Sequence, residues 1–514
     1  MLSILIAHSY FPRFDRKQFE RAKPYPPLAT LQVAALLRRS GHELALFDAM
    51  LHESTSAFEA QMAEVQPRAV LFYEDNFNFL TKMCLGRMRQ ACCEMIAHAQ
   101  RQGARVIVAG SDASDAPEPY LAAGADVVLR GEGLPAMSSL LERLDRDPKM
   151  DAASLVDGLP GTVALINGLL VHGEQAHPAP DLPAPSAAVQ AGKTIIAIQQ
   201  HDKGAGLEAP LEASTAWDLV EIERYRAIWR QAHGYFSLNM AASKGCSFRC
   251  AWCAKPIWGS HYQQRSAAAV AAEMTHLKRS FGPDHIWFAD DIFGFRADWV
   301  NRFADALEVS GGGIPFAIQT RADLVSEAMA RALARAGCHE VWIGAESGSQ
   351  RVLDAMNKGT TVDEILRARE RLGALGVQVG FFIQLGYLGE GLDELLATRR
   401  LIETARPDEI GVSVSYPLPG TKFHEQVRAQ LGEKTHWDDS ADLAMMFQGS
   451  FKTEFYRRFR DLLHELVDLD KLDGRAQAGA HHQARLALQQ RWATLIASEQ
   501  ANRSGAGVPA PLKS

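Results

Sequence analysis

Hydrophobic positions in the first 145 residues alternate between short apolar runs and longer amphipathic stretches. The runs at 2–7, 43–47, 69–73, 105–109 and 126–129 have strand length, and between them the apolar period lengthens to that of a helix at 28–40, 55–65, 79–101 and 117–123. Gly41, directly after the first of these helices, reads as a C-terminal stop. Strands alternating with helices predict a parallel sheet covered on both faces, whose ligands bind beyond the strand C-termini. From about residue 145 the alternation fails. A small hairpin is expected over 162–171, turning at Asn167-Gly168, and the Pro- and Ala-rich stretch 176–188 reads as a linker. A second alternating series begins near Tyr235, with strands expected at 237–242, 285–289, 316–320, 340–343, 378–385 and 409–415 and helices between them, for example at 266–279 and 325–336. Six such units in about 190 residues suggest an open or partial barrel, with its active site at the strand C-termini. Beyond about Thr421 only helices are expected, at 451–469 and 476–498, ahead of a Gly/Pro/Ser-rich end at 502–514 that frays.

The expected organisation is therefore an α/β chain. Residues 1–145 form a doubly wound Rossmann-like domain. Residues 146–234 form a linker with a small hairpin, residues 235–430 a partial (β/α)6 barrel, and residues 431–514 a helical region with a frayed tail. Composition narrows the partners. A net charge of -7 over 514 residues shows no basic excess, so nucleic acid is not expected. No apolar run approaches the ~18–20 residues of a membrane helix, and residues 1–8 lack a basic region and a cleavage site, so they read as a strand and the cytoplasm is the expected compartment.

Seven cysteines are unevenly placed. Cys84, Cys92 and Cys93 fall in one helical stretch and read, with Cys338, as small apolar residues; a role for Cys338 as a hydrogen-atom donor or acceptor near the barrel mouth is a minor alternative. Cys246, Cys250 and Cys253 are spaced C-x3-C-x2-C directly after the first barrel strand. Three thiolates on one short loop suit three corners of an iron–sulfur cube and leave the fourth iron open. A zinc site would need a fourth ligand, for which His261 is the nearby candidate at an uncommon spacing.

This loop resembles that of the radical S-adenosylmethionine (SAM) superfamily. The resemblance implies a 4Fe-4S cluster on Cys246, Cys250 and Cys253, with the open iron binding SAM and reductive cleavage giving a 5′-deoxyadenosyl radical. Trp252 takes the aromatic place near the adenine. Other segments match the family at successive strand ends. Phe288-Ala-Asp-Asp-Ile-Phe293 places Asp290 and Asp291 near the SAM amine and ribose. Gln319-Thr-Arg-Ala-Asp323 gives Arg321 for the SAM carboxylate. Gly344-Ala-Glu-Ser-Gly348 gives Glu346 for a ribose or the amine. Residues 382–390, with Gly386, match the pattern that supports adenine, and Pro417-Leu-Pro-Gly-Thr421 matches a turn. Glu273 on the first barrel helix is a further candidate.

The first domain lacks G-x-G-x-x-G and the P-loop pattern. Its strand-end segments Phe47-Asp48, Ala109-Gly-Ser-Asp112 and Arg130-Gly-Glu-Gly133, with Tyr25–Leu31 before them, resemble the cobalamin-binding domain of the cobalamin-dependent branch. That implies cobalamin near Asp48, Asn76, Gly110, Ser111, Gly131, Glu132 and Gly133. D-x-H-x-x-G is absent, so no histidine ligand to cobalt is expected, and Asn76 or Phe77 would shield that face. Gly110-Ser-Asp-Ala113 stands where many members have Gly-Gly-Pro-His. The implied activity is methyl transfer through methylcobalamin to an unactivated carbon of a small molecule, with a flavodoxin- or ferredoxin-type reductant. Alternatives are a radical cyclase or rearrangement enzyme of the anaerobic magnesium-protoporphyrin ester cyclase type and a non-catalytic cobalamin-binding protein. A methylthiotransferase ranks last, for want of a second three-cysteine set. Trp258, Tyr262, Trp437 and Phe447 are the aromatic candidates for a substrate pocket.

Overall fold

The computed structural model describes residues 1–78, 86–173, 215–255, 257–432, 443–472 and 478–503. Its contacts divide the chain into two units. The first is Met1–Gly234 with Pro256–Gln264, and the second is Tyr235–Lys255 with Arg265–Ser514.

The first unit is built on a seven-stranded sheet. Strands β1 (Ser3–Ala7), β2 (Glu43–Phe47), β3 (Ala69–Tyr73), β4 (Arg105–Ala109) and β5 (Val127–Leu129) are parallel in the order 2-1-3-4-5. Every residue of β3 is buried, as a central parallel strand requires. The hairpin β6 (Thr162–Ile166) and β7 (Leu169–His172) continues this sheet antiparallel, with β6 beside β5. It was expected within the linker, but the buried Val163 pairs it with Val128. Its turn residues Asn167 and Gly168 have φ of 51° and 78°, the paired positive values that Asn-Gly supplies.

Helices α1 (Leu28–Arg39), α2 (Ser56–Val65), α3 (Gly86–Arg101), α4 (Glu118–Ala122), α5 (Leu134–Arg146) and α6 (Ile222–His233) accompany the sheet. Phe47, Phe58, Phe72, Cys92, Met95 and Ile96 lie in one core, and full burial of such large side chains contributes about 1.5–3 kcal/mol each. Helix α1 has Pro27 at its N-cap and no side-chain cap of its own. Asp75, beyond β3, supplies one by accepting from Ala29 N at 3.0 Å, and Thr30 Oγ1 donates to Tyr73 O at 2.7 Å. The Pro-Pro-Leu-Ala-Thr segment thereby fixes the start of α1 to the end of β3.

The second unit carries six parallel strands: β8 (Ser237–Met240), β9 (His285–Phe288), β10 (Phe316–Thr320), β11 (Cys338–Glu346), β12 (Gln378–Leu385) and β13 (Glu409–Val414). They lie side by side in chain order. Between them run α7 (Ala267–Phe281), α8 (Ala297–Ser310), α9 (Glu327–Ala336), α10 (Val362–Gly373) and α11 (Leu392–Ala405). The caps are written in the sequence: Ser266 on α7, Ser326 on α9, and a Thr361/Glu364 capping box on α10. On β12, Val379, Phe381, Ile383 and Leu385 are buried on one face, while on the other Gln384 is buried and Phe382 is 36% exposed. Helix α12 (Lys422–Leu431) starts at Thr421, whose hydroxyl accepts from His424 N at 3.0 Å. Helices α13 (Thr453–Lys471) and α14 (Ala478–Ala497) follow. Cys338 opens β11, at the strand end opposite the expected mouth, and is buried, which removes it as a hydrogen-atom donor there. Cys92 is buried and Cys93 half-buried, whereas Cys84, Trp437, the linker 176–188 and the last residues from 504 lie outside the described residues.

Candidate active site

In the second unit, the loop after β8 holds Cys246, Cys250 and Cys253 as partly buried free thiols. Backbone bonds pin it in place. Ala251 N donates to Met356 O at 2.8 Å, Phe423 N donates to Ala251 O at 3.0 Å, and Asn357 Nδ2 donates to Arg249 O at 2.8 Å. Lys255 Nζ donates to Cys246 O at 2.8 Å and also to Phe248 O. Burial pushes the Cys246 thiol up and the Cys253 thiol up to about 12, with Lys255 opposing both. Metal ligation needs thiolates, so ligation here releases protons and leans on nearby cations. Arg321 is one such cation, its Nη1 at 3.8 Å from Cys250 Sγ and its guanidinium stacked 3.7 Å over Phe248. Among the described residues no three His, Cys, Asp or Glu side chains converge on a single-ion position, and His261 is exposed. One thiolate per iron of a cube does not require such convergence.

The remaining candidates divide into groups facing the loop and groups engaged inside the protein. Asp291 follows β9, is half-buried, and its charge acts on both Cys246 and Cys253. Its neighbour Asp290 is fully buried. It accepts from Ala242 N at 3.0 Å and from Ser243 Oγ, while Gln319 Nε2 donates to its backbone carbonyl at 2.7 Å. Asp290 thus ties the end of β8 to the end of β9. Glu273 is likewise engaged, in a buried ion pair with Arg265, which also donates to Ala241 O at 2.9 Å.

Arg321, expected to pair with a carboxylate, is 4% exposed and already holds Asp323 at 2.9 Å, Lys358 O at 2.6 Å and Thr360 Oγ1 at 2.9 Å. Its Nε and Nη2 are used; only Nη1 is turned to the cysteine loop. Glu346, the last residue of β11, has φ of 59°, rare for a residue with a side chain. Its Oε1 accepts from Lys358 Nζ at 2.6 Å in a pair whose side chains are each 7% exposed.

Lys358 was not foreseen, nor was the segment around it. Residues 356–360 (Met-Asn-Lys-Gly-Thr) bind the cysteine loop through Met356 and Asn357, Arg321 through Lys358 O and Thr360, and Glu346 through Lys358 Nζ. The available signal was Asn357 and Gly359, both at positive φ, flanking a lysine.

Trp252 packs against the core cluster that contains Val352, Met356, Tyr387 and Phe447, and its buried Nε1 has no partner. Gly386 has φ of 76°, and a Cβ there would meet Met445 Cε at 2.9 Å. Its N–H donates to Glu390, which is fully buried with Oε1 unpartnered. Burial pushes the Glu390 carboxyl from 4.5 up to about 8. The folded protein therefore holds this proton where the unfolded chain has lost it, and the group's contribution to stability falls as pH rises from about 4.5 to about 8. Glu390→Gln keeps the acceptor for Gly386 and removes the charge. Its melting temperature should gain on the parent steadily between pH 5 and pH 8 and no further above; a difference constant with pH would show the side chain is not titrating.

In the first unit the order 2-1-3-4-5 puts the switch point between β1 and β3. Asp48, expected to meet a cofactor, is 7% exposed and spent internally. Oδ1 pairs with His8 Nε2 at 2.9 Å and Oδ2 accepts from Tyr225 OH, brought by α6, at 2.7 Å. Glu74, after β3, accepts from Ser9 N at 3.0 Å and from Ser9 Oγ at 2.7 Å. Two buried atoms at this strand edge have no partner: Asn76 Oδ1 after β3 and Ser111 Oγ after β4, each residue 1% exposed. Gly110 precedes Ser111, and a Cβ on it would meet Glu74 Cγ at 2.7 Å. After β5, Gly131 and Gly133 have φ of 67° and 66°, and Glu132 O accepts from Tyr73 OH at 3.1 Å.

Residues 240–402 match the radical SAM superfamily. Among curated proteins, the chain is 23% identical over 404 residues to the uncharacterized methyltransferase PH0819 of Pyrococcus horikoshii, covering 78% of each chain. It is 23% identical over 320 residues to the anaerobic magnesium-protoporphyrin IX monomethyl ester cyclase of Rubrivivax gelatinosus, covering 60% of this chain and about half (49%) of that one. Among solved structures it resembles the radical SAM methyltransferase TsrM of Kitasatospora setae, solved with tryptophan substrate and a SAM analogue. The TM-score is 0.63 at 18% identity, over 84% of this chain and 77% of that one. It also resembles the cobalamin-dependent SAM radical enzyme OxsB, solved with aqua-cobalamin and SAM, with a TM-score of 0.64 at 15% identity, over 96% of this chain and 72% of that one. The fold is the one these two proteins share. No described helix is long and apolar enough to cross a membrane.

Proposed function

We propose that this chain, a radical SAM superfamily member by its residues 240–402, is a cobalamin-dependent radical SAM methyltransferase acting on a carbon of a small-molecule substrate. The observation that carries the reading is a three-thiol loop at a strand end, backed by Arg321 and the Glu346–Lys358 pair, in one chain with a 2-1-3-4-5 sheet whose ligand edge keeps two orphaned buried acceptors. When bound, the cluster with SAM supplies a hydrogen-abstracting radical and cobalamin a carrier of the methyl group.

The protein's own residues hold and orient. Cys246, Cys250 and Cys253 ligate the cluster, and Lys255 and Arg321 offset its thiolate charge. Arg321 serves the cysteine loop more than a SAM carboxylate, since its other nitrogens are taken. Glu346 keeps Oε2 for a SAM amine or ribose while Lys358 fixes Oε1. Asp291 faces the same loop, and Trp252 and Gly386 shape an adenine site. In the first unit Asn76, Ser111, Gly110 and the 131–133 turn take cobalamin. Electrons come from an external reductant, of flavodoxin or ferredoxin type in a cytoplasmic setting.

The test is anaerobic reconstitution with iron, sulfide and cobalamin, followed by SAM carrying a labelled methyl group and a reductant. The expected result is both S-adenosylhomocysteine and 5′-deoxyadenosine, with label on cobalamin. A second reading, radical cyclisation without methyl movement, is supported by the likeness to the protoporphyrin ester cyclase. It predicts deoxyadenosine, given substrate, without homocysteine product or labelled cobalamin. Neither product from fully loaded protein would overturn both.

A further inference from the structure

Three residues beyond the cluster cysteines, the chain leaves one unit and joins the other: Pro256–Gln264 belongs by its contacts to the first unit. Its place there is specific. Ile257 is 8% exposed, and its carbonyl lies 3.3 Å from the point where a Cβ on Gly131 would stand. Trp258 sets its ring 5.2 Å from that of Phe77, tilted by 45°. Gly131 follows β5 and Phe77 follows β3. In the sheet, β4 lies between these two strands, so the segment touches the loops that follow both strands flanking β4, the strand that Gly110 and Ser111 follow. Those loops lie at the edge where a ligand of such a sheet binds, and where Ser111 Oγ and Asn76 Oδ1 are buried without partners.

We propose that Trp258, seated on Phe77, is a cobalamin-contacting residue, an aromatic wall against which the corrin ring packs at the edge of the first unit. The proposal rests on the cobalamin reading of that unit. A corrin offers a broad apolar ring for aromatic contact and a periphery of primary amides, whose N–H groups suit orphaned acceptors such as Asn76 Oδ1. Gly131 serves the same end: any side chain there would crowd the Ile257 carbonyl and adopt a left-handed backbone. Because Trp258 lies five residues after Cys253, a residue that meets the corrin is carried on the strand of chain that also carries the cluster.

The test uses full-length, cluster-reconstituted protein without oxygen. Hydroxocobalamin is titrated into the parent, Trp258→Ala, Trp258→Phe and Phe77→Leu, with affinity read from the visible corrin bands. Bound cob(II)alamin is then compared by electron paramagnetic resonance. Trp258→Ala should weaken binding about tenfold or more and shift the corrin spectrum, while Trp258→Phe should stay within about threefold. Iron content and the cobalamin-free melting temperature should not change. Should Trp258→Ala melt early, the Trp258→Phe spectrum decides, since a remote packing residue would leave the corrin bands where they are. Parent-like affinity and spectra in both Trp258 variants would overturn the inference. A parent that binds no cobalamin would instead overturn the functional reading beneath it.

Discussion

Replacing Cys250 with Ala should abolish reductive SAM cleavage while leaving the protein folded. Cys250 Sγ lies 3.8 Å from Arg321 Nη1, and the loop carrying it is held by main-chain bonds to Met356 and Phe423 that no cysteine side chain makes. The fold therefore does not depend on the thiol, but a cube held by three residues does. Loss of one thiolate strips the cluster or opens a second iron, and deoxyadenosine formation should fall by at least about a thousandfold, roughly 4 kcal/mol of lost barrier reduction. The measurement is iron and sulfide content beside deoxyadenosine yield, with circular dichroism as the fold control. Cobalamin binding by the same variant should survive, because every proposed cobalamin contact lies in the first unit. A Cys250→Ala protein that still cleaves SAM would exclude the three-thiol site. One that loses cobalamin along with iron would mean the cluster loop governs more than its own ligand.

Much of the scaffold was legible because it is written in local periodicity. The strands at 43–47, 69–73, 105–109, 316–320 and 378–385 coincide with the observed ones end to end, since short β-rich runs bounded by turn residues have few other ways to be satisfied. The Asn167-Gly168 turn was legible for the same reason. The sheet that its hairpin joins was not, because pairing of Val163 with Val128 is a distant contact with no local signature. The cysteine loop announces itself by spacing. Its supports do not. Met356 and Lys358 hold Ala251 and Arg321 through carbonyl oxygens, groups every residue possesses, so nothing in the side-chain order marks them. Asp290 and Asp291 look alike in the chain. Only the packed structure separates a fully buried brace from a half-buried group facing the loop. Asp48 makes the same point: its saturation depends on Tyr225, 177 residues away.

Replacing Lys358 with Met should be the most destabilising substitution at this site and should also disable it. Lys358 and Glu346 are 6% and 5% exposed and meet at 2.6 Å. They lie across bare backbone: a Cβ on Gly344 would stand 2.7 Å from Lys358 Nζ and 2.8 Å from Glu346 Oε1. Removing the lysine strands a buried carboxylate, which costs about 3–5 kcal/mol, and in a unit of this size that is a fall of roughly 6–20 °C in the midpoint of its thermal transition. The penalty should shrink in acid, where a lone buried carboxylate is neutralised by protonation, and should be largely relieved by adding Glu346→Gln to the same chain, because a neutral pair leaves no uncompensated charge. Packing loss alone predicts neither the pH dependence nor the rescue, so a pH-independent deficit that Glu346→Gln leaves untouched would dismiss the ion pair as its cause. Activity separates the two roles. The double variant should regain stability but not deoxyadenosine formation, because the carboxylate proposed to meet SAM is then missing. Recovery of both would show that Glu346 holds the strand end in its left-handed turn and nothing more.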